Sequence, residues 1–317
     1  MKLIRSVLAV VSTVALFFAT FGFAAFPENP ISLIVSAQHT DSVDPYARWV
    51  AERFQEQHNF TVTVNAGSAN SDSWFDGAME LASADADGYT VGLFDSVVPI
   101  YSQQAGITVL ESEQFEPLGI IGSIPYVLIT RDNSQFDNLS QLAEVATTRK
   151  VVLGHLGESL VQTRLVKAYG RNEGFDWDSK LVQAIDCETL KQRGVDAMVV
   201  RLADVEDCIG RARVLAVISE SRLARLPSTP TLGELDPTLD IAIWAGLFVR
   251  AATPVEAKQA LAGAAQDVFL SDASKELASE RSALVYWQDA EQAMQRINVD
   301  RGTLQEVDRI LESSLID

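Results

Sequence analysis

The amino-acid sequence predicts an α/β protein of two domains, each built on a parallel sheet, and three observations carry that reading. Short β-branched runs alternate with amphipathic stretches of helical period, the pattern of strand–helix–strand units joined by right-handed crossovers. An amino-terminal leader, once removed, leaves 293 of the 317 residues, a length at which one core ordinarily gives way to two. The same strand, loop and capped-helix plan begins afresh at Lys150.

The leader is read from Lys2 and Arg5, followed by an apolar run over residues 7–23 broken only by Ser12, Thr13, Thr20 and Gly22. That is the layout of a secretory signal peptide, with small residues at Gly22, Ala24 and Ala25 for cleavage near Ala24 or Ala25. A membrane anchor would need about 20 apolar residues and a charged stop, and no cysteine lies close enough for a lipid anchor. Residues 1–24 are therefore expected to be removed, leaving a soluble periplasmic chain. With 43 acidic and 25 basic residues the chain carries −18, and loss of Lys2 and Arg5 makes it −20. Nucleic acid and anionic lipid are excluded as partners. The two cysteines, Cys187 and Cys208, form an even set in an exported chain and are expected to be bridged. The alternative is two separate buried thiols packed as small hydrophobes.

Along the chain, residues 31–35 read as a first strand. Asp44 is placed as the N-cap of the following helix, with Pro45 at its first position and Tyr46, Val50 and Phe54 on one face. Residues 60–64 alternate as a second strand, a Gly/Ser/Asn stretch over 65–73 leads into a helix through residue 84, and 88–94 read as a third strand. Two apolar runs, 118–121 and 126–130, flank a hinge-like Gly-Ser-Ile-Pro segment, which places the crossing into the second domain near Ser123. Residues 150–153 are a fresh strand, and Ser159 with Gln162 forms a capping box for a helix reaching Tyr169. Residues 197–200, 214–218 and 244–248 read as further strands, and after Pro254 the chain reads as helical to its end. The domains are thus 25–123 with 240–317, and 124–239. Trp49, Trp177, Trp244 and Trp287 read as packing residues, and Trp74 as a cleft residue.

In open α/β sheets ligands sit beyond the carboxyl ends of strands. The two strand-to-helix loops, residues 36–43 and 154–158, each lead into a helix amino terminus that offers free N–H donors and positive potential, a setting that suits an anion. The Gly-x-Ser-x-Gly elbow, the phosphate loop and the dinucleotide fingerprint are all absent from the sequence. His39, Asp41, Ser42 and Asp44 contain hydrolase residue types, but triads are recognised by geometry rather than by closeness in sequence. The chain is read as a binding protein without cofactor rather than an enzyme.

A family resemblance rests on Pro30-Ile-Ser-Leu-Ile-Val35 with Asp44, Ala47 and Arg48, on Asp87-Gly-Tyr-Thr90, on Leu226-Pro-Ser-Thr-Pro-Thr231, and on Trp244-Ala-Gly-Leu-Phe248 leading to Thr253-Pro254. In this order, and over nearly the whole chain from Phe26, the sequence resembles the tripartite tricarboxylate transporter substrate-binding receptors, also called Bug-type receptors. The resemblance implies a two-domain, type II Venus-flytrap fold with a ligand cleft between the domains, the first domain being made from both chain ends. It further implies a monomer that captures a small carboxylate and hands it to a membrane permease, with the two loops holding the ligand.

The loops depart from the family pattern. Ser36, His39 and Thr40-Asp41-Ser42 stand where the family has prolines and a glycine triplet, and residues 65–73 lack its Arg-Pro-Gly and double glycine. Asp41 would repel an anion by roughly 1–4 kcal/mol at about 4 Å, depending on dielectric. The expected ligand set is therefore Ser36, Gln38, His39, Thr40, Ser42, Asp44, Ser73, Trp74, His155, Gly157, Ser159 and Arg201, with His39, His155 and Arg201 replacing the lost backbone donors. Three alternatives stay open: an amino acid or other zwitterion, a cation or metal held by Asp41, Asp44, Asp72 and His39, and a sensing or scaffolding role beside a membrane kinase.

Overall fold

The computed structural model describes residues 26–35, 40–66, 75–101, 114–182, 187–191, 194–281 and 283–313. The expected leader lies outside these residues, as do Ser36, Gln38, His39, Asp72, Ser73 and Trp74. The side chains of Thr40, Asp41, Ser42, Asp44 and Cys187 are likewise outside them. Among the described residues no helix is long and apolar enough to cross a membrane.

The chain opens with β1 (Ile31–Val35), α1 (Thr40–His58), β2 (Val62–Ala66), α2 (Asp76–Ser83), β3 (Thr90–Asp95), α3 (Val97–Tyr101) and β4 (Phe115–Ser123). It then builds a second layer system: β5 (Tyr126–Arg131), α4 (Leu139–Ala146), β6 (Val152–His155), α5 (Val161–Asn172), β7 (Asp178–Leu181), α6 (Cys187–Lys191), β8 (Ala197–Arg201), a 3-10 turn over Leu202–Cys208, β9 (Ala212–Ile218) and α7 (Leu232–Leu235). The return carries β10 (Trp244–Arg250), α8 (Val255–Phe269), α9 (Ala273–Arg281), β11 (Leu284–Asp289) and α10 (Ala290–Glu312).

Two sheets result, ordered β11-β4-β10-β3-β1-β2 and β7-β6-β8-β5-β9. Read from β2 and from β7, five strands follow one plan: three parallel strands, then a strand that has arrived from the other sheet, then a last one. Both sheets are mixed rather than parallel, because β10 runs against β3 and β4, and β5 against β8 and β9. The cause is the crossing itself. The chain leaves the first sheet at the carboxyl end of β4, so β5 must start at the junction and run away from it.

Other sequence expectations shift with local packing. Tyr46, Val50 and Phe54 are buried on one face of α1 as read, but the helix begins at Thr40. Asp44 is thus inside it rather than its N-cap, and Pro45 is the sixth residue, where its missing N–H leaves the Asp41 carbonyl without its helical donor. Helix α5 begins at Val161 with Leu160 as N-cap and no side-chain cap bond, so the Ser159–Gln162 capping box does not form. Leu160 and Gln162 are both buried, which draws the turn inward past Ser159. The carboxyl-terminal region is not helical throughout: β11 interrupts it and pairs antiparallel with β4. Its Val285-Tyr286-Trp287 run is β-forming, and Gly119 and Gly122 of β4 admit it, since a Cβ on either would meet β11 atoms at 2.4 and 2.3 Å. Trp177 and Trp244 are buried, while Trp49 and Trp287 pack on Phe269 at 5.4 and 6.5 Å between ring centres.

Helix α10, capped by Asp289 and Gln292, joins both systems. Ala293, Ile297, Leu304 and Val307 enter a core shared by β4, β10, α5 and the inner face of the second sheet. The opposite faces have their own cores, under α1 and α8 for the first sheet and under α6 and the 3-10 turn for the second. In the shared core Asp300 is fully buried. It accepts 2.7 Å from Trp244 Nε1 and 2.8 Å from Arg296 Nε. Burial pushes its carboxyl up to about 6, against the lowering effects of Arg296 and Trp244, with Asp240 adding to the rise.

A raised carboxyl favours the folded state when protonated, so its contribution is complete below the ordinary value near 3.8 and is lost as pH rises through about 6. Wild type should lose on the order of 3 kcal/mol relative to Asp300→Asn across that window. Urea unfolding of both proteins at pH 4, 5, 6 and 7 checks this, and parallel pH profiles would refute it.

Candidate functional site

The parallel strands of both sheets aim their carboxyl ends at the junction: β1 and β3 from one side, β6 and β8 from the other. The two chain crossings run through the same place and are bonded together, Ile124 N–H donating to the Ile243 carbonyl at 2.7 Å. Ser96 N–H, just past β3, donates to the Trp244 carbonyl at 2.7 Å, and Leu202 N–H, just past β8, donates to the Pro125 carbonyl at 2.9 Å. Strand ends from both sheets are therefore held at fixed positions around the crossings, the location where open α/β sheets bind ligands.

Arg201 ends β8 opposite Tyr126. Its guanidinium is taken up by Asp204, with Nε 3.1 Å from both carboxylate oxygens and Nη2 2.5 Å from Oδ1. The pair is partly exposed, 18% and 27% in its side chains, with Asp204 reaching the surface. Asp95 ends β3, is itself buried, and accepts 3.0 Å from Val97 N–H. Burial raises the Tyr126 phenol far above its usual value, Asp95 adds to the rise and Arg201 opposes it, so the phenol stays a neutral donor. The hydroxyls of Ser96 and Ser123 are buried beside these groups without a hydrogen-bond partner among the described residues.

His155, at the end of β6, is 2% exposed. Its Nε2 lies 3.1 Å from Glu158 Oε1 but is poorly aligned, and neither ring nitrogen has a hydrogen-bond partner among the described residues. Burial lowers its pKa, and Glu158 only partly offsets this, which leaves the imidazole neutral at pH 7. Gly157 is half-buried and Ser159 exposed. Ser159 lies with Arg164 and Lys167 along a groove of about 550 Å³ beside α5.

Of the twelve expected ligand residues, the structure brings the His155 loop and Arg201 to neighbouring strand ends, since β6 pairs with β8. Thr40, Ser42 and Asp44 lie in the first turns of α1. Asp95, Tyr126 and Asp204 escaped the sequence reading. Two had a legible signal: Asp95 is a charge directly after the apolar run of β3, and Tyr126 follows the proline of the crossing. Cys208 is buried in the turn that packs against α6, the helix Cys187 opens. Among the described residues no cluster of three or more ligating side chains suits a metal ion.

Comparison with known proteins agrees with this architecture. The family model described as "Tripartite tricarboxylate transporter family receptor" matches residues 46–313. The chain is 27% identical over 252 residues to Protein BugT of Bordetella pertussis, covering 71% of this chain and 73% of that one. Among solved structures, a TctC solute binding protein from Polaromonas without ligand superposes with a TM-score of 0.72 at 20% identity, over 89% of this chain and 100% of that one. R. palustris Rpa4515 with adipate superposes with a TM-score of 0.72 at 18% identity, over 90% and 98%. These structures share the two-domain fold, and the chain belongs to the tripartite tricarboxylate transporter receptor family.

Proposed function

We propose that this receptor is exported to the periplasm, binds a small carboxylate or amino-acid-like ligand between its two lobes, and delivers it as a monomer to a membrane permease of the tripartite type. The lobes are residues 25–123 with 240–317, and 124–239. The change of sheet at the two crossings supports that division. The observation that carries the reading is the Arg201–Asp204 pair at the junction, beside the Tyr126 phenol and the end of β3. A guanidinium fork suits a carboxylate, and the adipate held by the R. palustris neighbour is of that class.

The same pair favours a second reading within the receptor class. Arg201 already has a carboxylate partner, and Asp95 is a further buried acid, so a plain dianion must displace or outweigh Asp204. An amino acid brings its own cation to Asp204 while its carboxylate meets Arg201, which keeps both members of the pair matched. The neutral His155 adds no positive charge to help a dianion.

We further infer that the two cysteines are bridged. Cys187–Cys208 pairing is supported by the contact between α6 and the 3-10 turn and by the absence of a free cysteine among the described residues.

A thermal-shift screen against dicarboxylates, tricarboxylates and amino acids should find one stabilising class, by about 2.7 kcal/mol at 100 times the dissociation constant. No shift across the panel would count against the reading. Arg201→Ala should weaken the active ligand about tenfold or more. Asp204→Asn should tighten a dicarboxylate but weaken an amino acid, so the sign of its effect, read by calorimetry, chooses between the two. NMR titration should place the His155 midpoint below 6.5, and lower still in Glu158→Gln, where the opposing charge is gone. Because the folded value is depressed, its stabilising contribution is present above 6.5 and is lost as pH falls. Reduction of the bridge should cost about 3 kcal/mol in urea unfolding, and an unchanged midpoint would argue against pairing.

A further inference from the structure

A cavity of about 760 Å³ opens at the pole of the second sheet that faces away from the junction. Its wall includes Arg131 at the far end of β5, Arg149 before β6, Asp196 before β8 and Arg211 before β9. Tyr126 and Arg131 are the two ends of the same six-residue strand, so this cavity and the cleft lie about 17 Å apart at the usual rise per residue. The volume falls within the range of small-ligand sites.

The charges at this pole are unevenly matched. Asp196 is already engaged: it takes both Arg149 terminal nitrogens at 2.9 Å and the Val152 N–H at 2.9 Å. Asp132 is 75% exposed and stands 3.7 Å from Arg213. Arg211 donates twice to the Asp207 carbonyl. Arg131, half-buried in the wall, makes no ion pair with any described carboxylate, yet it helps hold the Asp196 carboxyl below its usual value. The amides of Asn133 and Gln135, exposed at the rim, supply neutral donors. In a chain of net charge −18, a guanidinium without an ion-pair partner among the described carboxylates, at the wall of an open polar cavity, is a local site of positive potential.

We propose that this cavity is a second anion site, which takes a compact multivalent oxyanion, a phosphate or a small polycarboxylate, on the fork of Arg131. Two N–H donors of one guanidinium match two oxygens of either group. The Arg149–Asp196 pair stays intact and forms the floor. Occupancy involves the second lobe alone and is separate from closure of the cleft.

Calorimetry of the purified protein with inorganic phosphate, and separately with citrate, tests this. Saturable binding is expected. Arg131→Gln should weaken it at least tenfold with at most a small drop in urea midpoint, since only the longer-range attraction to Asp196 is lost, and Arg131→Lys should fall between. Should Arg131→Gln lower the midpoint more than that, the lysine variant alone decides, because it keeps the charge and loses the fork. The proposal is overturned if wild type binds neither probe at millimolar concentration, if both Arg131 variants bind as wild type does, or if binding is lost in Arg201→Ala and kept in Arg131→Gln.

Discussion

The bond between the Trp244 indole and the Asp300 carboxylate is the point on which the architecture turns. Trp244 is the first residue of the strand that returns from the second sheet, and Asp300 sits midway along the helix that ends the chain. Joining them fixes the return crossing to α10 and, through the Trp244 carbonyl and Ser96, to the end of β3. A buried carboxylate alone would be costly. Here it has an indole N–H and a guanidinium to satisfy it, so the cost becomes positional: removing either partner leaves a desolvated charge. Such groups specify geometry more than they add stability. What they specify is the placement of the strand whose first residues lie at the junction of the two sheets.

Around that point the two sheets reproduce one strand order. The repetition has a functional consequence, because it puts equivalent strand ends, β1 and β3 against β6 and β8, on either side of the same crossings. Exchange of one strand between the sheets makes the fold mixed and also makes the lobes inseparable. Each sheet holds in its interior a strand whose neighbour in sequence belongs to the other, so each core is completed by a strand that arrives through a crossing.

Much of this was legible in the sequence, and what was not has identifiable causes. Strand and helix positions followed from period-2 and 3.6-residue patterns, and the crossing near Ser123 from a Gly and a Pro. Strand direction was not legible, since apolar runs such as 126–130 look the same in parallel and antiparallel sheets. β11 was missed because its short apolar run packs on both faces, so it lacks period-2 alternation, and it sits between Ala- and Glu-rich helices. At the site, Arg201 was legible as a charge at a strand end, but its partner Asp204 was not, because the pairing depends on how the 3-10 turn folds back. His155 was chosen for its residue type. Its burial follows from the alternation of β6, which turns the ring toward α5 and Glu158, and an imidazole so placed is neutral rather than a cation for an anion to meet.

The path of α10 limits how such a receptor can move. Its first half bears on β4 and β10, and its last turns lie along α5, where Asp308 meets Arg164 and the Ser313 carbonyl receives Arg171. This adds a further attachment between the two sheet systems to those made by the crossings. The apolar residues between α10 and α5 belong to the shared core, and opening that seam would expose them at about 25 cal/mol per Å². A motion that leaves the seam closed costs far less, which favours rotation near α10 and the crossings over separation of the two sheets. Groups close to α10 and the crossings, Trp244 and Asp300 among them, then move little. Arg201 and the His155 loop lie on one side of the junction and the ends of β1 and β3 on the other, so a rotation that spares the buried carboxylate would change the distance between them.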